Sequence, residues 1–252
     1  NYKPFPKVCA TFFSQGLSAM NKITALYIVS VRKVRKATAS LSASLLLMFF
    51  AWTGGHIVTA DTNIGNVAAG TNPTAIAVSP VTNKTYIANV TSNDLTVING
   101  TNNSTTTVPV GTSPMAVAVN PTTNRIYVAN FVTNDVTVVD GASDTVVTSV
   151  SMAGNTLPIA LAVNSVTNRI YVANSGSSNV TVIDGATNTV LATVVSTSQP
   201  RTVAVNPVTN KIYVGNSGTG TITVINGTNN ATTTIAGGTN IRAISVNPVT
   251  NT

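Results

Sequence analysis

A short phrase built on Tyr, two small or apolar residues and Asn returns four times in this chain. It reads YIAN from Tyr86, YVAN from Tyr127, YVAN from Tyr171 and YVGN from Tyr213. The steps between the tyrosines are 41, 44 and 42 residues. A period in the low forties, made of short β-like runs separated by turn residues, restricts the chain to a radial or stacked β repeat. The longest clean statement, AVAVNPTTNRIYVANFVTNDVTVVDGASDTVVTSV, covers Ala116 to Val150, and a fifth copy opens at Ala243 as AISVNPVTN.

The residue types agree with that reading. Val and Thr suit pleated strands, while Asn, Gly and Pro set turns. Aspartate is the only acidic residue in the sequence, and the Glu- and Lys-rich faces of long exposed helices are missing from the repeats. Each full copy predicts four strands. In the second these are Met115–Asn120, Arg125–Asn130, Val136–Asp140 and Thr145–Val150. A lone strand is expected over Ile64–Ala69 and another over Arg242–Val246.

The turns repeat as well. Pro80-Val81-Thr82-Asn83, Pro121-Thr122-Thr123-Asn124 and Pro207-Val208-Thr209-Asn210 follow the first strand, and Ser165-Val166-Thr167-Asn168 keeps the asparagine without the proline. Proline presets φ at the front of such a turn, and Asn tolerates the left-handed region at its end. Between the third and fourth strands come Asn99-Gly100, Asp140-Gly141, Asp184-Gly185 and Asn226-Gly227. These dipeptides favour hairpins, here with bulged or longer loops. In Arg125–Asn130 the alternation puts Ile126 and Val128 on one face and Tyr127 and Ala129 on the other. Both faces are apolar, as in a sheet held between neighbouring sheets, so the tyrosine rings are expected to fill the space between them.

At these motifs the chain resembles the YVTN-type β-propeller repeat family of surface-layer and periplasmic proteins, over about residues 64–252. The resemblance implies an all-β propeller of four-stranded antiparallel blades, a secreted or surface location, and no particular activity. The stretch 61–252 supplies four complete blades plus partial ones, and propellers close with about four to eight. The expectation is therefore an open arc of a larger propeller of about seven blades, in a fragment truncated at its C-terminus.

Residues 1–60 read differently from the rest. They hold Lys3, Lys7, Lys22, Arg32, Lys33, Arg35 and Lys36 and no acid, so the net charge of +7 belongs to this leader. The repeats balance Lys84, Arg125, Arg169, Arg201, Lys211 and Arg242 against Asp61, Asp94, Asp135, Asp140, Asp144 and Asp184. A basic cluster, the apolar run Leu41–Trp52 and the small-residue site Val58-Thr59-Ala60 match an export signal. The run is shorter than the roughly 20 residues that span a bilayer; an uncleaved anchor is the alternative, and only through it would the chain meet a membrane.

Chemistry is sparse. The single histidine, His56, and the single cysteine, Cys9, both lie in the leader, so the repeats suggest no zinc, Cys–His or serine-triad centre, and no cofactor is expected. Asp140 and Asp184 alternate with Asn99 and Asn226 at one position, which points to turn geometry. Asp94 and Asp135 ahead of the third strand leave weak calcium binding open. Lys84, Arg125, Arg169 and Lys211 stand at one place before the second strand and predict a basic arc, either solvated or facing an anionic partner. Phe131, in a loop that differs between copies, is the first candidate contact.

These readings favour an exported binding or surface-structural module without catalysis of its own, whose partner is a cell-envelope polysaccharide or protein. Nucleic acid is disfavoured by the neutral repeat domain. The alternatives are part of a lyase- or redox-type propeller enzyme with its active residues in the missing portion, and a periplasmic nucleic-acid or polyanion binder.

Overall fold

The computed structural model describes residues 66–154 and 156–250. The expected leader, with its export signal or anchor, lies outside them. Among the described residues sixteen strands follow one another without a helix. The first sheet is β1 (Pro73–Ser79), β2 (Lys84–Asn89), β3 (Asp94–Asn99) and β4 (Thr105–Pro109). The second is β5 (Pro114–Asn120), β6 (Arg125–Asn130), β7 (Asp135–Asp140) and β8 (Thr145–Ser151). The third is β9 (Pro158–Asn164), β10 (Arg169–Asn174), β11 (Asn179–Asp184) and β12 (Thr189–Val195). The fourth is β13 (Pro200–Asn206), β14 (Lys211–Asn216), β15 (Thr221–Asn226) and β16 (Thr232–Ala236). Each sheet is an antiparallel meander in chain order, and we call the sheets blades 1 to 4.

The blades stack like pages. The first strands pack in series, β1 on β5, β5 on β9 and β9 on β13, while the outer strands splay apart. One apolar cluster fills each junction. Tyr86, Ala88, Leu95 and Val108 of blade 1 meet Val117, Ile126, Val128 and Val139 of blade 2. Tyr127 and Ala129 then meet Leu161, Ile170 and Val172 of blade 3, and Tyr171 and Ala173 meet Val203, Ile212 and Val214 of blade 4. The alternation along Arg125–Asn130 is thus resolved as two buried faces. Burying a Val, Leu or Ile side chain contributes about 1.5–3 kcal/mol, so these junctions hold the blades together.

Among the described residues no further sheet covers the outermost faces. Ile76 is 65% exposed, whereas its counterparts Val117, Leu161 and Val203 are 8–9% exposed. Ile235 is 48% exposed against 3–6% for Val108, Val150 and Val194. Among the described residues blade 1 therefore presents one bare face, while on blade 4 the outer strand is bare and Ile241 and Ile244 lie over Gly215.

Two expected strands are corrected over the described residues, Ile64 and Gly65 of the first lying outside them. Residues 66–69 and 241–247 are irregular, because a strand needs a ladder partner and neither stretch has one among the described residues. The second stretch still packs as an inner strand would. A Cβ on Gly215 would stand 2.6 Å from both Ile241 Cγ2 and Thr202 Cγ2, which is why YVGN carries glycine where the other copies carry alanine.

The turns explain the punctuation. Asn83, Asn124, Asn168 and Asn210 all adopt φ near +51 to +52°, as a left-handed turn end requires. The Asp-Gly and Asn-Gly glycines have a different purpose from the one their hairpin signal suggests. At Gly100, Gly141, Gly185 and Gly227 a Cβ would fall under 3.0 Å from that same asparagine of the neighbouring turn. Their amides donate to its carbonyl at 2.8–2.9 Å. Close approach between two turns of one blade, not a positive φ, fixes glycine there.

Candidate functional site

Each blade has two ends. One carries the turns between its first and second and its third and fourth strands, and we call it the turn end. The other, the linker end, carries the turn between the second and third strands and the connection to the next blade. The sequence candidates divide between them, with Lys84, Arg125, Arg169 and Lys211 at the turn end and Phe131 at the linker end.

At the turn end the basic side chains reach for protein acceptors. Lys84 Nζ donates to both carboxylate oxygens of Asp144 at 2.8 and 2.9 Å and to the Gly141 carbonyl at 3.1 Å. Arg169 donates to the Gly227 carbonyl, the equivalent atom one blade further on. Arg125 instead pairs with Asp140 across the ladder of its own blade. Lys211 is exposed and, among the described residues, bonds to nothing. The expected arc is thus mainly a set of staples, two of them between blades. Asp140 accepts the amides of Ala142 and Ser143 at 2.8 and 3.1 Å, and Asp184 accepts those of Ala186 and Thr187. The Ser143 and Ala142 amides, followed by the Arg125 guanidinium, hold the Asp140 carboxyl below the usual carboxylate range against some opposing burial. Both aspartates are turn formers.

The tyrosines lie between blades as expected. Tyr86, Tyr127 and Tyr171 are fully buried, and burial raises the pKa of all three phenols. Their hydroxyls feel the turn-end charges: Asp144 and Asp140 act on Tyr86, Arg125 and Asp184 on Tyr127, and Arg169 on Tyr171. Tyr213, next to the bare face, is only half-buried.

The asparagine that closes each phrase has a role the sequence reading missed. Asn89 Nδ2 donates to Asp94 at 2.6 Å and to the Thr96 hydroxyl at 2.9 Å. Asn130 repeats this on Asp135 and Thr137, and Asn174 on Asn179 and Thr181. Asn216 reaches the Thr221 carbonyl and the Thr223 hydroxyl. All four are buried, and they lock the second strand to the third where the chain turns. The spacing of that Asn to a Thr seven residues on was the signal. Asp94 and Asp135, open to a calcium role on sequence, are engaged as acceptors here, and no group of three or more His, Cys, Asp or Glu side chains assembles among the described residues.

The linker end holds what differs between copies. Phe131 is half-buried and Val132 beside it 54% exposed, where the other blades place Val90, Ser175 and Ser217. The connection between blades 2 and 3, Met152 to Leu157, is longer than those before β5 and β13. It adjoins a cavity of about 190 Å³ lined by residues including Met152, Thr156, Asn179, Thr181 and Thr193. Arg201 and Arg242, absent from the sequence candidates, are exposed at this end and make no ion pair or hydrogen bond among the described residues.

Solved structures share this arrangement. Kuenenia stuttgartiensis hydrazine synthase superposes with a TM-score of 0.63 at 21% identity, over 77% of this chain and 57% of that one. Virginiamycin B lyase from Staphylococcus aureus gives 0.58 at 14% identity, over 66% and 56%. Apo AztD from Citrobacter koseri gives 0.54 at 20% identity, over 71% and 51%. The fold is a β-propeller's. The chain spans only 51–57% of the length of these structures, and at such identities the likeness extends to the fold alone. No family model and no curated protein matches the sequence.

Proposed function

We propose that this chain is an exported propeller module, akin to the YVTN-type repeat proteins, that binds a cell-envelope polysaccharide or protein and performs no catalysis of its own. One observation carries the reading. Most of the polar side chains that recur from copy to copy are engaged in the framework, with Lys211 an exception, while variation gathers at the linker end. Asn130 locks a turn, Asp140 forms one, and Lys84 staples blade 1 to blade 2. Variable loops on a rigid scaffold are how such architectures build binding surfaces. Phe131 and Val132 give that end an apolar contact point. Enzymes share this fold, as the names of two of the similar structures state, and an active centre outside the described residues is the competing reading.

The test is to produce the tagged chain, fractionate the cells, and measure binding of the recovered protein to isolated envelope polysaccharide and envelope protein. Recovery outside the cytoplasm, with saturable binding weakened about tenfold by Phe131→Ala, is the expected result. Retention in the cytoplasm, or equal binding by the variant, defeats the proposal.

A further inference from the structure

The cavity of about 190 Å³ lies where blades 2 and 3 splay apart. Side chains alternate along β11, so Asn179, Thr181 and Ile183 share the face of blade 3 that packs on blade 2. The ladder sets Thr193 opposite Thr181 and Val190 opposite Ile183 on that same face. Asn179, Thr181, Val190 and Thr193 all line the cavity, and Met152, just after the last strand of blade 2, lines it too. Met152 and Thr181 are only 3–4% exposed and form the floor, whereas Val190 and Thr193 stand exposed at the mouth. None of the lining residues carries a charge.

Its polar groups are left with bonds to make. Asn179 Oδ1 accepts from Asn174 Nδ2 at 2.8 Å, while the Asn179 Nδ2 hydrogens have no acceptor among the described residues. The Thr181 hydroxyl accepts from the same Asn174 amide at 2.8 Å, and its own proton, buried at the floor, has no acceptor there. The Thr193 hydroxyl makes no bond among the described residues. Blade 2 shows the closed form of the same arrangement. Asp135 and Ser149 hold the places of Asn179 and Thr193 there, and Ser149 Oγ donates to Asp135 Oδ2 at 2.8 Å. Two groups that satisfy each other in blade 2 are thus open in blade 3.

The structure assigns to this cavity the binding of an uncharged pyranose ring. An anion finds no cation among the lining residues and a cation finds no carboxylate. Amide hydrogens that only donate, beside hydroxyls that donate and accept, match a ligand whose own hydroxyls do both. Met152 and Val190 supply apolar surface for the C–H faces of a ring. Pockets for drug-sized ligands start at about 300 Å³, so this smaller space suits one ring. Phe131, the contact proposed for an envelope partner, donates its amide to Ser113 on the blade 1 side. The sugar site therefore does not rest on that reading.

Proton–nitrogen correlation spectra of the chain, titrated with the methyl pyranosides of glucose, galactose and mannose, test the site. At least one is expected to shift the Asn179 side-chain amide saturably. Asn179→Asp should weaken that binding about tenfold, and adding Thr193→Ser should abolish it by rebuilding the closed pair of blade 2. Both substitutions introduce residues that blade 2 already carries at these places, and thermal melting confirms that the variants fold. Phe131→Ala is expected to leave sugar binding unchanged. Glucuronate, whose charge has no partner in the cavity, should bind about tenfold more weakly than the neutral glucoside. No saturable shift with any of the three glycosides, undiminished binding in the folded double variant, equal loss in Phe131→Ala, or equal binding of glucuronate overturns the assignment.

Discussion

Asn120 at the end of β5 donates from Nδ2 to Oδ1 of Asn168 in the next blade at 2.7 Å. Asn164 makes the same bond to Asn210 at 2.9 Å. Each of these donors also accepts turn amides of its own blade, from Thr122 and from Val166 and Thr167 respectively. The junction between blades 1 and 2 lacks the bond. Ser79 stands in the donor's place, fully buried, and Asn124 Oδ1 is buried without a partner.

Ser79→Asn is therefore expected to stabilise the protein. It supplies the missing donor to Asn124 and keeps an acceptor for the turn amide that Ser79 now holds. The gain should be about 1 kcal/mol, the usual net value of one hydrogen bond. Thermal melting checks it, and an unchanged or lower midpoint contradicts the staple.

Equivalent positions give a second comparison. Leu161 and Ile76 occupy the same ladder point, one under a neighbouring blade and one open to solvent. Leu161→Ala is expected to cost about 2–5 kcal/mol in chemical denaturation. Ile76→Ala is expected to change stability by no more than about 0.5 kcal/mol and to lower self-association. Similar costs at both sites would place a blade over Ile76.

Gly141→Ala addresses the contact between turns. The new methyl group would collide with Asn124, and overpacking of this kind costs about 1–3 kcal/mol. Gly154, at φ +84° with open space around it, carries only the backbone penalty of a left-handed alanine, about 1–2 kcal/mol. Circular dichroism melts of the two variants separate steric from conformational loss, since only Gly141→Ala should be rescued by also shortening Asn124 to Ser.

Acid and alkali act on different groups. The folded-state pKa of Asp140 is depressed, so its contribution is present above the ordinary carboxylate pKa and disappears as pH falls through the lowered value. Asp140→Asn, which keeps the turn acceptor found at Asn99 and Asn226, should flatten the acid limb of a stability–pH curve. The phenols of Tyr86, Tyr127 and Tyr171 have raised values. Their contribution is full below the unfolded phenol pKa and is lost as pH rises through the folded one. The phenolate absorbance lost in a Tyr86→Phe, Tyr127→Phe, Tyr171→Phe variant should consequently be the part that appears together with loss of the β-sheet signal rather than before it.

Much of the framework could be read from the order of residues. Arg125–Asn130 was expected as a strand at the bounds observed, and the two-faced burial of Ile126 and Tyr127 followed from alternation alone. What stayed hidden depends on atoms brought together from distant copies. Asn120 and Asn168 are 48 residues apart, and Lys84 meets Asp144 across 60, so neither partner is visible within one repeat. The glycines after Asp140 and Asp184 looked like hairpin signals because a sequence window contains no second turn for them to approach. Ile64–Ala69 and Arg242–Val246 have strand-like composition, but composition does not provide the ladder partner that a strand requires.

The bare faces at Ile76 and Ile235 also dictate how the molecule comes apart. Among the described residues blades 2 and 3 are clasped on both sides, whereas blades 1 and 4 are clasped on one, so opening of this row is expected to begin at blades 1 and 4. Amide exchange ought then to be graded, slowest around Val128 and Val172 and fastest along β1 and β16.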